Sequence, residues 1–379
     1  MAIVGYEFKK NISFPAIWFF IGLCLFFNFL LVNSGINEYA NYVASVACEL
    51  GINLDNEFNE RVRNLGEGLY PVQLRLDTTH VENVFQGYTT GYIAEIYIRD
   101  LSLSGMAADL MYRKYERLQY AVDQLYLSGA GNTLYFAGAT HTMHSYLFGN
   151  IMGFLLIQGT ILASLIMLLS LCHENVVKTE MVIYATKVGR KVNIAKPVAS
   201  LVSGIIAYMI LAGFTLAVFF YNNPFICIRN SSVSSGFNYI IDGLAGIRPF
   251  VTWHGFSVAS YLLAYIFVSL GLVLCFGLMA YIIGLLVRNG YIGFMILALV
   301  NAALYDLPWR IFGFTVPYFA SNFLPGNLVF RMVMWNFWFT DGGPFTLWAH
   351  FETVGVLISL VLLAIFSVIA WKRFTKLAI

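Results

Sequence analysis

The chain has 379 residues, of which 59% are hydrophobic and 11% charged, whereas a soluble domain carries roughly 25% charged residues. This composition excludes an ordinary water-soluble protein and indicates that lipid is the main solvent of the chain. The formal net charge of +2 is neither strongly basic nor strongly acidic, so we predict no nucleic-acid partner.

Six apolar runs are predicted to cross the membrane as helices. Crossing a bilayer takes roughly 20 apolar residues, because only a helix satisfies all its backbone hydrogen bonds within one segment. The runs are Phe14 to Val32, Leu147 to Leu171, Val198 to Tyr221, Val258 to Val287, Tyr291 to Tyr305 and Thr353 to Trp371. The short fifth run would reach an aromatic interface anchor if Leu307, Pro308 and Trp309 extend it. The predicted fold class is an α-helical polytopic membrane protein.

The first run has two interpretations. Lys9 and Lys10 give it the basic start of a secretory signal peptide. Its apolar stretch is longer than the usual core of about 7–15 residues, which favours a retained membrane anchor.

The distribution of the lysines predicts how the six spans are oriented in the membrane. Positive residues near span ends concentrate on the cytoplasmic side of membrane proteins. Eight of the nine lysines flank spans on one predicted side, and only Lys114 falls on the other. Both termini are therefore predicted to be cytoplasmic.

The spans divide the chain into three parts. Residues 1–32 form an N-terminal amphipathic segment and the first span, and residues 146–379 hold the other five. Between them, residues 33–145 contain thirteen of the twenty acidic residues and are predicted to form an extracytoplasmic domain. Within this domain, apolar residues from Leu103 to Leu125 recur at helical spacing, with charged residues such as Lys114 between them, which predicts a surface helix.

The segment 306–352 is unusually aromatic for a loop. It holds four tryptophans and is interrupted by Pro317, Pro325, Gly342, Gly343 and Pro344. An apolar segment broken in this way favours two interfacial or re-entrant half-helices before the sixth span rather than a further span.

No catalytic or metal site is predicted. His173-Glu174 begins like the zinc-binding HExxH motif, but Val177 stands where the second histidine is required. His141 and His144 are interpreted as an interfacial pair rather than as metal ligands. The sequence contains no GxSxG or GxGxxG frame and no GxxxxGK[ST] phosphate-binding loop. An intramembrane enzyme is therefore disfavoured.

The six runs contain no Asp, Glu, Lys or Arg. Ion-coupled transporters usually need ionisable groups inside the bilayer, so any energy for transport would come from elsewhere. The conspicuous polar side chains are those of Asn28, Gln158 and Asn301, and we take these three as candidates for a substrate path.

Two residue pairs leave alternatives open. Gly149 and Gly153 form a GxxxG pair, which permits close helix packing either within the chain or in a dimer. Cys48 and Cys227 fall on the same predicted side and would be able to form a disulfide, but their spacing in the sequence does not decide this.

The cytoplasmic loop 173–197 is patterned. Val177, Met181, Tyr184 and Val188 form one apolar stripe at helical spacing, with charged residues around it. A short amphipathic helix outside the bilayer either lies on the lipid surface or docks into a groove of a partner. The mixed charge favours a protein partner.

The stretch HENVVKTEMVIYATKVGRKVNIAKPVAS, around this loop, resembles the membrane permeases of type-2 ATP-binding-cassette (ABC-2) exporters. The N-terminal VGYEFKKNISFP is similar to the amphipathic segment before their first span, and the arrangement of spans also matches. The resemblance implies that the loop is a coupling helix seated on a separate ATPase subunit. The implied contact residues are Glu174, Val177, Glu180, Met181, Tyr184, Thr186, Lys187 and Arg190.

The resemblance also implies an assembly in a bacterial cell membrane. Two permease protomers, identical or related, would bind two ATPase subunits that carry ATP and Mg, whereas this chain would hold no cofactor and hydrolyse nothing. An amphipathic or hydrophobic compound, such as an antimicrobial peptide or a drug, would be exported. The external domain is larger than the short loop of many family members, which leaves the substrate open. The alternative is a receptor that binds a ligand outside and signals through its inner helix.

Overall fold

The computed structural model describes residues 2–35, 37–79, 81–135, 142–179, 192–287, 289–335 and 338–376. Most of these residues are helical. The helices are α1 (Ala2–Ile12), α2 (Pro15–Asn33), α3 (Glu38–Leu50), α4 (Asn56–Arg63), α5 (Leu69–Thr78), α6 (Gly91–Asp100), α7 (Met106–Leu127), α8 (Ser145–Val176), α9 (Val192–Asn222), α10 (Val258–Val287), α11 (Gly290–Ile311), α12 (Val316–Ser321), α13 (Pro325–Trp335) and α14 (Phe351–Lys376). A hairpin of β1 (Tyr239–Asp242) and β2 (Gly246–Pro249) precedes α10.

Six of these helices, α2, α8, α9, α10, α11 and α14, are long and apolar enough to cross a membrane. This confirms the predicted fold class. The fifth helix continues through Pro308 and Trp309 to Ile311, as the sequence suggested. Asp306 and Arg310 therefore lie in α11, where they form an exposed ion pair one turn apart, and the aromatic segment begins after Ile311 rather than at residue 306.

Helix α8 packs against both α9 and α10, which also contact each other, and α14 packs against α10. Small residues allow these helices to approach one another closely. A side chain at Gly159 of α8 would collide with the ring of Tyr208 on α9, and one at Gly271 of α10 would collide with Val356 on α14. We call the end of the bundle with α1 and the loop after α8 the near end, and the opposite end the far end.

The far end carries a layer built from three stretches of the chain. Helices α3 to α7 form its largest part, and residues 223–257 and 312–350 complete it. One hydrophobic core joins Tyr97 of α6 and Met111 of α7 to Val251, Phe319 and Leu347. The predicted domain 33–145 therefore shares its core with later segments.

A disulfide fastens two of these stretches together. Cys48 of α3 is bonded to Cys227, which follows α9, and their Cα atoms are 5.0 Å apart. The other three cysteines are free and buried. The pairing left open by the sequence is therefore formed in the structure.

Four charged side chains, Lys114, Asp242, Arg248 and Asp341, form what we call the outer ion cluster. The Arg248 guanidinium donates to both carboxylate oxygens of Asp341, with N to O distances of 3.0 and 3.1 Å, and lies 3.5 Å from the Asp242 carboxylate. The Lys114 ammonium donates to the backbone carbonyls of Asp341, Gly343 and Thr346 at 3.2, 2.8 and 2.8 Å. The cluster thus links all three stretches of the layer.

The prediction that Lys114 lies among the solvent-facing charges of α7 was wrong. Its side chain is buried with Met111 and Leu118, on the packing face of the helix. Burial lowers the pKa of Lys114 to about 7, because removing an ammonium from water disfavours its charged form. Burial alone would raise the Asp341 pKa, but the cations of Arg248 and Lys114 outweigh that effect and lower it.

The aromatic segment contains two short helices, α12 and α13, as its interrupting prolines suggested. Arg331 of α13 is 4% exposed. Its guanidinium lies 4.5 Å from the ring centre of Phe345 and 5.7 Å from that of Trp309, and it donates to the Asn322 side chain at 2.9 Å. Stacking on these ring faces stabilises a buried cation.

Replacing Lys114 tests the importance of the outer ion cluster. We expect Lys114→Met to lower the free energy of unfolding by about 3 kcal/mol, because a buried ion network loses one partner and three carbonyls lose a donor. Thermal unfolding of the purified protein, followed by tryptophan fluorescence, measures the change. Arg113→Met is the matched control, because the adjacent Arg113 is exposed. Equal stability of the two variants would refute the structural role of Lys114.

The same pair of proteins gives a pH test. The folded pKa of Lys114, about 7, lies below its unfolded value of about 10.4. Between these values the unfolded chain binds more protons at this site, so its contribution to stability rises with pH. The stability difference between wild type and Lys114→Met should therefore widen from pH 7 to pH 10. A constant difference would show that Lys114 does not titrate in this window.

Candidate functional site

Four charged residues at the near end, Glu7, Lys10, Glu174 and Lys196, form what we call the near-end network. Glu174, in the last turn of α8, accepts a hydrogen bond from Lys10 of α1 at 2.8 Å and another from Lys196 of α9. Lys10 also pairs with Glu7, one turn earlier on α1. The network joins α1 to the two helix ends that flank residues 180–191.

Helix α1 is seated on the bundle by further polar contacts. The Asn11 side chain donates to the hydroxyls of Ser200 and Ser203 on α9, at 3.2 and 3.4 Å. The ring of Phe14, just after α1, lies 5.2 Å from that of His173 on α8. Pro15 begins α2 at the first position of the helix, where its missing N–H costs nothing. A break at this point allows α1 and α2 to run in different directions.

The near-end network is largely removed from solvent. The side chains of Lys196, Glu174 and Lys10 are 3%, 9% and 11% exposed. A charge buried to this extent is stable only with an opposite charge or several hydrogen bonds. Glu174 is therefore the anion on which two cations from different helices converge.

The structure describes two of the eight residues predicted to contact an ATPase subunit, Glu174 and Val177. Glu174 faces the helices of its own chain, whereas Val177, just beyond α8, is 52% exposed. Glu180, Met181, Tyr184, Thr186, Lys187 and Arg190 lie outside the described residues. Their contact with another subunit stays a prediction.

Two of the three predicted path residues meet inside the bundle. Asn28 of α2 and Gln158 of α8 exchange hydrogen bonds through their side-chain amides, at 2.9 and 2.7 Å. Asn28 also donates to the Thr215 hydroxyl on α9 at 3.0 Å. Asn301 has other neighbours: it donates to Leu297 within α11 and lies beside Gly326 of α13. The Asn28 and Gln158 pair thus connects three helices.

The glycine pair lies where α8 begins. Residues Ser145–Ile151, which include Gly149, form a π-helical turn. A side chain at Gly153 would be in van der Waals contact with Val333 of α13, so this glycine packs within the chain. A dimer contact at Gly149 stays a prediction.

The described residues contain no group of three His, Cys, Asp or Glu side chains placed to hold a metal ion. His144 lies among aromatic rings, 4.5 Å from Phe250 and 4.8 Å from Phe148, and His141 lies outside the described residues. The two ion networks were not predicted from the sequence, because their members come from segments far apart in the chain. For the outer ion cluster the sequence did contain one indication: Lys114 is the one lysine on the opposite predicted side from the other eight.

Replacing Glu174 tests the near-end network. In Glu174→Gln, Lys196 and Lys10 lose their shared anion, which we expect to destabilise this end by about 3–5 kcal/mol and to release α1. Limited trypsin digestion of the purified protein should then cut after Lys9 or Lys10 several times faster than in wild type.

Val177→Gln is the matched control, because it places the same side chain at an exposed position one turn away. In the double variant Glu174→Gln with Lys196→Met, the increase in cleavage rate should be smaller than the sum of the increases in the two single variants. The reason is that the effects of mutating two residues in contact are not additive. Additive effects, or unchanged digestion of Glu174→Gln, would contradict the network.

Comparison with known proteins identifies no relative of this chain. No protein-family model matches the sequence, no curated protein matches it, and no solved structure matches it. The function must therefore be argued from the residues and from the geometry of the two ion networks.

Proposed function

We propose that the chain is the membrane-spanning permease subunit of an ATP-driven exporter of the ABC-2 type, energised by a separate ATPase subunit. The near-end network is the observation that supports this most strongly. It binds the last turn of α8 and the first turns of α9 to α1, and these are the helix ends from which residues 180–191 emerge. A push on that segment would move three helices together.

In this proposal the near end is cytoplasmic. An ATPase dimer that closes on ATP and Mg would press on the patterned segment, with Val177, Met181 and Tyr184 as its apolar face. The charged residues Glu180, Lys187 and Arg190 would select the partner, since charge complementarity contributes more to specificity than to affinity. Thr186 completes the proposed contact set. Two protomers and two ATPase subunits, in a bacterial membrane, would form the working assembly.

The composition of the far end supports an amphipathic or hydrophobic cargo, for example an antimicrobial peptide or a drug. Its aromatic side chains remain partly exposed: Trp309, Phe312 and Phe314 are 43%, 38% and 38% exposed. Exposed apolar surface of this kind marks sites of contact with lipid or with apolar ligands. Because no ionisable group lies in the predicted apolar runs, coupling to an ion gradient is not part of the proposal.

Co-expression with the ATPase of a neighbouring reading frame that contains GxxxxGK[ST] tests the proposal. We expect the two chains to purify together and to hydrolyse ATP faster when the exported compound is present. Tyr184→Ala and Arg190→Ala should each weaken the association about tenfold or more, because residues central to an interface typically contribute about 2 kcal/mol.

The exposed Arg113 of α7 provides the control, since Arg113→Ala lies in the far-end layer and should leave association unchanged. If the chain binds no ATPase, or if the alanine variants keep full ATP hydrolysis, the export function is wrong. Loss of binding to a cytoplasmic signalling protein, with no ATPase involved, would identify a receptor instead.

A further inference from the structure

Two adjoining cavities lie in the far-end layer beside the end of α11. The first has a volume of about 310 Å³ and is lined by Leu101, Ile241, Asp242, Gly243, Leu244, Trp309, Phe314, Pro344 and Phe345. The second, of about 430 Å³, is lined by residues 101, 102, 104, 106 and 107 and by residues 312–317, including Ser102, Ser104 and Thr315. Leu101 and Phe314 line both cavities, so the two adjoin along a common wall.

The first cavity is apolar. Among the described residues that line it, Asp242 is the one with an ionisable side chain, and its carboxylate is already engaged by Tyr97, Arg248 and the backbone amides of Leu244 and Ala245. Three of the other lining residues are aromatic: Trp309, Phe314 and Phe345. A cavity of this size and composition is typical of a site for a small apolar ligand or chain.

The aromatic walls are held in place before any ligand arrives. The buried guanidinium of Arg331 lies over the rings of Phe345 and Trp309, and the Trp309 ring also makes an edge-to-face contact with Phe314, at 5.9 Å between ring centres. Because these side chains are already ordered, they would lose little conformational entropy when a ligand binds.

The second cavity differs from the first in its polar groups. Ser102, Ser104 and Thr315 belong to its lining, and hydroxyl groups can both donate and accept hydrogen bonds. The Thr315 hydroxyl already donates to the Phe312 carbonyl at 2.7 Å, so it offers a ligand an acceptor. Both cavities adjoin residues just beyond Ile311, where the spanning helix α11 ends. Their position at the end of a span gives a ligand access from the membrane surface.

We propose that the two cavities together bind a single-chain amphiphile. Its hydrocarbon chain occupies the first cavity, and its polar, hydrogen-bonding head lies among the hydroxyls of the second. Each methylene buried in this way contributes about 0.8 kcal/mol. Describing this ligand as the exported cargo rests on the proposed export function, whereas the binding itself does not.

Photolabelling of the full chain in phosphatidylcholine nanodiscs tests the site. The probe is palmitic acid that carries a diazirine on its chain, and a parallel sample carries the same diazirine on an acyl chain of phosphatidylcholine. We expect the fatty acid to label peptides that contain residues 241–245 and 309–317. Excess unlabelled palmitic acid should suppress this labelling.

Gly243→Trp should reduce the labelling about tenfold. Gly243 is in the wall of the first cavity, its backbone is not left-handed, and no atom lies within 4 Å of the position of an added Cβ. We therefore expect the chain to accept a tryptophan there and the indole to obstruct the cavity. A tenfold loss corresponds to about 1.4 kcal/mol, the contribution of about two methylenes. Gly255→Trp is the matched control, because Gly255 is equally unobstructed and lines neither cavity.

Labelling of these peptides by the fatty acid, lost in Gly243→Trp and kept in Gly255→Trp, supports the site. Equal labelling in both variants, or labelling confined to other peptides, overturns it. Labelling by phosphatidylcholine but not by palmitic acid also overturns it, since the ligand is then a bilayer lipid with two chains. None of these results depends on an ATPase, so the site and the export function can fail separately.

Discussion

A buried charge is stable only beside an opposite charge or several hydrogen-bond partners, and this constraint shapes both ends of the molecule. The near-end network places Glu174 between two lysines from different helices. In the outer ion cluster, two cations and two carboxylates balance one another, and the Lys114 ammonium reaches three carbonyls. Between the two, the bundle is held by close packing and by uncharged pairs such as Asn28 and Gln158.

Both ion networks connect segments that are far apart in the sequence. At the near end, α1, α8 and α9 meet at the Glu174 carboxylate. At the far end, α7, the hairpin and the segment before α14 are fastened by Lys114 and Arg248, and the disulfide between Cys48 and Cys227 adds a covalent link. The six spans therefore lie between two ends that are each cross-linked by ion pairs.

The spans could be predicted from the sequence because their determinant is local. A run of about 20 apolar residues has few alternatives to a membrane helix, and even the extension of the fifth span through Pro308 and Trp309 followed from composition. Periodicity also located helix α7. It gave Lys114 the wrong environment, because a lysine at that position is buried only if the backbone carbonyls of residues 341, 343 and 346 reach its ammonium group. A pattern in the sequence around residue 114 cannot predict contacts with residues more than 200 positions away.

The same limit applies to the candidate functional sites. The patterned loop was recognisable from its own residues, but the pairing of Glu174 with Lys10 depends on where α1 folds back, which the sequence does not state. The two far-end cavities are made by three distant stretches of the chain and were not predicted. Their aromatic lining was visible in the sequence, but the aromatic residues alone could not distinguish an interface anchor from a cavity.

The proposed function requires the near end to face the cytoplasm, and labelling with a membrane-impermeant maleimide tests this orientation most directly. Leu127→Cys introduces an exposed thiol in the far-end layer and Val177→Cys one at the near end, since the native side chains are 74% and 52% exposed. The native cysteines are disulfide-bonded or buried and should give little background. We predict that the maleimide labels Leu127→Cys in intact cells, and that it labels Val177→Cys only after the cells are permeabilised. The reverse pattern would place the patterned loop outside the cell and contradict the proposed function.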